Sequence, residues 1–467
     1  MNESLTLAKY IVNIDYDDIP SNVADTTKRS FLEGLGVMIA ASGLGEGCQQ
    51  FIDLAVEGGG KEESTIIGSD TKVPSYMAAY ANGSMAHALD FENTHMVHPN
   101  AAAIPAALSL AESLGNVSGK ELIAAITLGS EMVCRLSLAR SMGSPASRQG
   151  ADSPGVSAWY IPSIYGTIGA TAAASKVLGL SPEQVVDAFS LSMCQSTCSG
   201  ELIFSPRSYV RAIRDAFAAK AGVLSAIMAK KGIIGFEQPI EGKAGFYTMY
   251  AGGNYDPGIL TKDLGKVFEC LNVSFKPWPA CRGTHPYIAA ALQIVDEYDI
   301  KPGDIEAIKF ILNSPNTMLC EPLESKRKPT TAIDAKFSIP FCIATAVVHK
   351  KVDLSHFTAQ ALLDNEVLEV AQKITYEVGS AIPQQGYEVQ PDLVHIKTGR
   401  ELISSKAIEF MYGHPKNPMS QEALVAKFMD CASYSVKPIS KDNLDKVVQL
   451  ILHLEDVSNI SEIVECL

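Results

Sequence analysis

The chain has 467 residues, 47% hydrophobic and 19% charged, with a formal net charge of −14 at neutral pH. That length allows two or three domains with ample core, and that balance excludes a disordered chain. Its acidity, with no basic cluster beyond Lys326-Arg327-Lys328, argues against a nucleic-acid partner, although a local Arg/Lys pocket still suits a small anion.

The opening stretch MNESLTLAKYIVNIDYDD meets acidic residues early and lacks a cationic segment before an apolar run, so no signal peptide is expected. Apolar runs such as Ile339 to Val348 fall short of a membrane span, and no membrane partner is expected. The ten cysteines are scattered, with Cys194-x3-Cys198 the nearest approach to a zinc spacing. Reduced thiols in a cytoplasmic protein, and no metal site, are the expectation.

From Ser4 to about Leu264 the sequence reads as helical. Ser118-Gly-Lys-Glu121 is a capping box opening a helix through Leu138. Ser181-Pro182-Glu183-Gln184 pairs an N-cap with proline at the first helical position, and Gly179 fits the end of the alanine-rich helix before it. The small residues from Gly169 to Ser175 predict helices packed at close approach. Gly58-Gly59-Gly60 and Gly252-Gly253 read as loops without phosphate-loop spacing, so no nucleotide site is assigned. After Asp263 strands enter: Ala307–Leu312, Ile374–Val378, Leu393–Lys397 and Ile403–Phe410, the last two flanking a Thr398-Gly399-Arg400 turn. Helical runs at Pro286–Tyr298, Ala335–Lys350 and Thr358–Lys373 interleave with them, an α+β pattern. From Ser420 the chain is helical again to Leu467, and this tail is expected to pack back on the first domain.

Four clusters carry chemistry. Ala81 to Ala107 holds His87, His95, His98, Asp90 and Glu92 in a short polar interruption; three of the chain's nine histidines fall there. Imidazoles beside carboxylates suit proton transfer near neutrality. Asp90 and His98 are read as functional and His87 as an ordinary helix-face residue. Ser274 to Pro286 combines Lys276, Arg282 and His285 with rigid prolines, either a cleft between domains or a linker with solvated charges. Arg207, Arg211 and Arg214 form either a carboxylate clamp or a solvated helix face paired to Asp215. Tyr160, by spacing alone, is a core residue.

In this order the pieces NGSMAHALDFENTH…HP, IYGTIGATAAASKVLGLSPEQ, KPWPACRGTHP, AKFSIPFCIATAV and GHPKNPMSQEALVAKF resemble the MmgE/PrpD family over nearly the whole chain. The resemblance implies a mainly α protein: a large all-helical domain formed by both chain ends (1–265 and 415–467) and an inserted smaller α+β lid domain (266–414). It also implies a homodimer with no metal or organic cofactor. Position by position, Asp90, His98, Lys276, Arg282 and His285 match the family's site motifs. Two places depart. Tyr160-Ile161 replaces a His-Pro pair, and Val210-Arg211-Ala-Ile213-Arg214-Asp215-Ala216 replaces a Thr-Lys-x-Leu-His-Ala-Gly run; Glu92 and Asn93 are milder changes.

These readings predict a cofactor-independent lyase of the dehydratase type acting on a small di- or tricarboxylate. Catalytic roles fall to Asp90, His98, Tyr160, Lys276 and His285, and substrate binding to His95, Arg211, Arg214 and Arg282. Decarboxylation of a cis-aconitate-like acid, epimerisation of an iminodisuccinate-like acid and a catalytically silent binding protein are the alternatives. The changes at 160 and 211–214 predict weak turnover of cis-aconitate and 2-methylcitrate.

Overall fold

The structure is a computed structural model that describes residues 2–142, 158–205, 207–312, 317–379 and 390–467. It is mainly helical. The helices Ser75–Ala86, Asn100–Leu114, Gly119–Met142, Ile161–Val177 and Asp215–Lys230 pack on one another as a bundle. Small residues set their spacing. A Cβ placed on Gly169 would lie 2.8 Å from the Gly129 carbonyl oxygen, and one on Gly222 would lie 2.6 Å from Ala170 Cβ. These helices therefore meet backbone to backbone, as the small-residue run predicts. Gly119–Arg140 is long and apolar enough to cross a membrane, yet 94% of that window is buried within the protein.

The capping signals are realised. Ser118 and Glu121 bond reciprocally, and Ser181 and Gln184 do the same before Pro182–Met193. Gly179 follows the helix Ile161–Val177 with φ of +59°. One short hairpin goes unforeseen: β1 (Ser64–Thr65) pairs antiparallel with β2 (Lys72–Val73).

The later chain builds a four-stranded sheet of order β4-β3-β5-β6 from β3 (Ile305–Leu312), β4 (Ile374–Val378), β5 (Val394–Thr398) and β6 (Leu402–Ser404). β3 runs parallel to β4 and antiparallel to β5. Helices His285–Tyr298, Ile339–His349 and Asn365–Gln372 share a core with it, built on Ile288, Ile308, Phe310, Phe341 and Val370. A separate core joins Phe31, Leu35 and Met38 to Leu424, Phe428 and Ile451, so the final helices pack against the first ones.

Three element boundaries need correction. The strand expected at 403–410 stops at Ser404, because the Lys406 backbone N–H is taken by Gln293 Oε1 (2.7 Å) on the helix His285–Tyr298, lifting the chain off the sheet. The helix expected over 335–350 is two helices, Ala332–Lys336 and Ile339–His349; Ser338 caps the second, and Pro340 fits only a first turn. The helix expected from Thr358 begins at Asn365, where Asp364 accepts from the Glu366 and Val367 amides.

Candidate active site

The helix Ser75–Ala86 ends at His87, and the chain turns at once, Asp90 N–H donating to the His87 carbonyl at 2.8 Å. Asp90 takes a left-handed conformation, φ +49°, which a short polar side chain tolerates and a β-branched one does not. Four residues on, Thr94 and Ser274 exchange two backbone hydrogen bonds of 2.9 and 2.7 Å. The two motif segments, far apart in sequence, are thus laced side by side.

Lys276 Nζ lies 2.5 Å from Asp90 Oδ1 and 2.9 Å from the Asp90 carbonyl, with both side chains at most 1% exposed. Burial alone would raise the Asp90 pKa, but the Lys276 ammonium overrides it and holds the carboxyl below its usual range. Burial would lower Lys276, but Asp90 and, behind it, Glu92 raise it. This is a fixed ion pair.

Beside it, Glu92 Oε1 sits 2.5 Å from His87 Nδ1 and 2.6 Å from His98 Nδ1, the imidazole centroids being 4.3 Å apart. The His87 contact is a hydrogen bond; His98 approaches Glu92 without good alignment. His87 is fully buried, whereas the His98 side chain keeps 16% exposure. One donor atom from each of His87, Asp90, Glu92 and His98 falls within 4.8 Å of the others, a grouping of metal-site type. The His87–Glu92 pair in that grouping is closed by a hydrogen bond at 2.5 Å, shorter than the roughly 3.3 Å between ligands of a tetrahedral zinc.

His285 opens the helix His285–Tyr298. Its Nε2–H donates to the Ala280 carbonyl at 3.1 Å, which fixes the tautomer and leaves the lone pair on Nδ1. Burial drives its pKa down to about 3, and Lys276 and Arg282 add to that. Burial likewise lowers His98 to about 4, helped by His87 and opposed by Glu92. His95 falls to about 4 through burial and Arg282. The Arg282 guanidinium donates to the His95 carbonyl, a second tie between the two segments.

Of the predicted residues, Asp90, His98, Lys276 and His285 therefore share one buried region, with His95 and Arg282 at its edge. The arginines take other partners. Arg214, fully buried, lies 4.8 Å over the Tyr160 ring and 3.6 Å from Asp215, and it donates to the Arg211 carbonyl. The Arg211 guanidinium stacks 3.5 Å from the Phe337 ring and meets Met318 Sδ at 3.2 Å. The solvated-face alternative for both is thereby set aside, while Arg207 stays largely exposed.

Sequence reasoning missed three members. His87, read as a plain helix-face residue, is part of the cluster, and the signal was its place at the helix end, five positions before Glu92. Cys281 feels Asp90, Arg211 and Lys276, and burial raises its thiol pKa. Lys336 donates to the Pro279 carbonyl at 3.0 Å; burial lowers it to about 7 although Asp90 pulls the other way. Lys336 also lines a cavity of about 210 Å³ with Glu46, Leu89, Ala212 and Phe357, next to the cluster. A larger concavity of about 410 Å³ between Lys446 and Glu462 contains none of these residues.

Models of the MmgE/PrpD N-terminal and C-terminal domains match residues 5–257 and 278–453. The chain belongs to the MmgE/PrpD family. Its curated relatives include the cis-aconitate decarboxylases of Homo sapiens (27% identical, covering 85% of this chain and 80% of the relative) and Mus musculus (26%, 98% and 91%). That of Aspergillus terreus is 24% identical, covering 97% of this chain and 94% of the relative.

The depressed imidazoles give this MmgE/PrpD chain an acid-sensitive core. His95, His98 and His285 bind protons more weakly folded than in the unfolded chain, where the value is about 6.5. Between about pH 6.5 and about 4 the unfolded state therefore holds more protons, and stability falls as pH drops through that window. Thermal unfolding followed from pH 7.5 to 5 is expected to show a falling Tm. A flat profile would mean that these rings are solvated.

Proposed function

We propose that the protein is a lyase that removes a carboxylate from a cis-aconitate-like unsaturated tricarboxylate, without a metal or organic cofactor. The observation that carries this reading is the fixed Asp90–Lys276 pair set beside the His98 and His285 imidazoles, both held neutral. Expelling hydroxide from a hydroxy acid calls for a strong acid near neutrality, and rings lowered to about 3 or 4 are not protonated there. A carbanion formed by losing carbon dioxide is basic enough to take its proton from a much weaker donor. The activity named for the relatives points the same way.

In this mechanism Lys276, with Arg282, faces the carboxylates that stay and stabilises the enolate-like charge as it develops. The carboxylate that leaves lies against the neutral face of His285, whose ring meets Trp278 edge-on at 5.2 Å. The bond from that carboxylate to its carbon breaks, carbon dioxide departs, and the electron pair moves through the double bond onto a retained carboxylate. His98, the more exposed imidazole of the pair, returns a proton to carbon. Solvent water restores that proton to His98, whose ring Glu92 and His87 hold in place.

Dehydration of a hydroxy acid is the second reading. It is favoured by the Nδ1 lone pair of His285, a base of fixed tautomer beside the Lys276 charge. A panel of polycarboxylates separates the two: carbon dioxide release supports the first, and loss of hydroxyl without carbon dioxide supports the second. Arg214 is occupied by Asp215 and Tyr160, so it offers no site for the added substrate carboxylate expected from the sequence.

A further inference from the structure

Lys427 is a buried cation that this mechanism does not use. It lies on the helix Gln421–Ala432, 151 residues beyond Lys276 and 394 beyond Glu33. An ammonium has three hydrogens to donate, and three acceptors surround this one: Glu33 Oε1 at 2.6 Å, the Phe91 carbonyl at 2.7 Å and the Lys276 carbonyl at 2.8 Å. It also sits 3.7 Å from the centroid of the Phe91 ring.

The two carbonyls belong to the segments that carry the reactive pair. Phe91 follows Asp90, and Lys276 is the partner itself. We propose that Lys427, neutralised by Glu33, is a positioning residue that holds these two segments at the separation keeping Lys276 Nζ on Asp90. This rests on reading Asp90–Lys276 as the centre of the reaction.

The physical case is direct. Two backbone carbonyls and a carboxylate converging on one point repel one another unless a cation stands between them. Remove it, and three buried acceptors lose their partner together, so the segments must spread. The Thr94–Ser274 hydrogen bonds pin the same segments further along, leaving Lys427 to set the spacing at Asp90. The helix does not need Lys427 in order to dock, because Leu424, Phe428 and Cys431, each 1% exposed, anchor it in the core.

The test is the double variant Glu33→Gln/Lys427→Met, which removes both charges and leaves no lone buried ion. It is expected to fold and to lose about 100-fold in kcat, the scale of a 1 Å misplacement, with KM changed less than kcat. The acid limb of its pH profile should move to higher pH. Asp90, faced by Lys276, His87, His98 and Glu92, would then have a more distant ammonium. Hydrogen–deuterium exchange should rise in peptides covering 87–98 and 274–285 and stay unchanged over 100–114. Glu33→Gln alone keeps both carbonyl contacts and should hold kcat within a few-fold. Unchanged kcat and exchange in the double variant would overturn the proposal. So would failure of that variant to fold, or damage from Glu33→Gln equal to that of the pair. If the native enzyme turns over no polycarboxylate, the functional reading fails, and exchange alone then decides the positioning role.

Discussion

Lys276→Met is expected to lower turnover by about 10²–10³-fold, the scale of losing one preorganised charge at a reacting centre. It should also cost about 3–5 kcal/mol of stability, as removal of one partner from a buried ion pair does. The reason is the burial. Asp90 is 0% exposed and its near oxygen faces Lys276 at 2.5 Å, so methionine leaves an anion without its ion-pair partner and with Glu92 close by. The companion Asp90→Asn/Lys276→Met removes both charges and should regain much of the stability while recovering no activity. Urea unfolding and steady-state kinetics on the three proteins check both halves. A stable, active Lys276→Met enzyme would show that the pair is solvated and outside the reaction.

His98→Gln is the second large effect. Loss of a positioned proton donor lowers kcat by about 10²–10⁴-fold, with KM little changed because glutamine holds no charge that the imidazole lacked. His87→Gln should do less harm. His87 is sealed from the cleft and acts through Glu92, so its loss should reshape the pH profile before it removes turnover. If His87→Gln proves the more damaging, the order of the two roles is wrong.

Why some of this was legible in the sequence and some was not has a physical basis. Asp90 and Lys276 stand out because each interrupts apolar, small-residue or proline-marked text with charge, and charge inside such text needs a partner. Capping boxes at Ser118 and Ser181 are local codes, complete within four residues, and both are realised. The strand at 403–410 failed because its end is decided by a hydrogen bond from the Lys406 N–H to Gln293, more than a hundred residues away. Lys427 and Glu33 were invisible for the same reason, since spacing within a helix says nothing of a partner 394 positions distant. The arginines at 211 and 214 misled because a three-residue interval suggests one exposed helix face. The helix there is only Val210–Ile213, and the chain folds both side chains inward.

The most direct test is incubation of the purified protein with cis-aconitate in deuterated water, with released carbon dioxide trapped and the product read by proton NMR. The expected result is one carbon dioxide and one five-carbon unsaturated dicarboxylate per substrate, with a single deuterium on the carbon protonated after the bond breaks. The same result is expected after exhaustive treatment with chelator. Deuterium exchange or hydration of the substrate without carbon dioxide release, or no turnover at all, would contradict it.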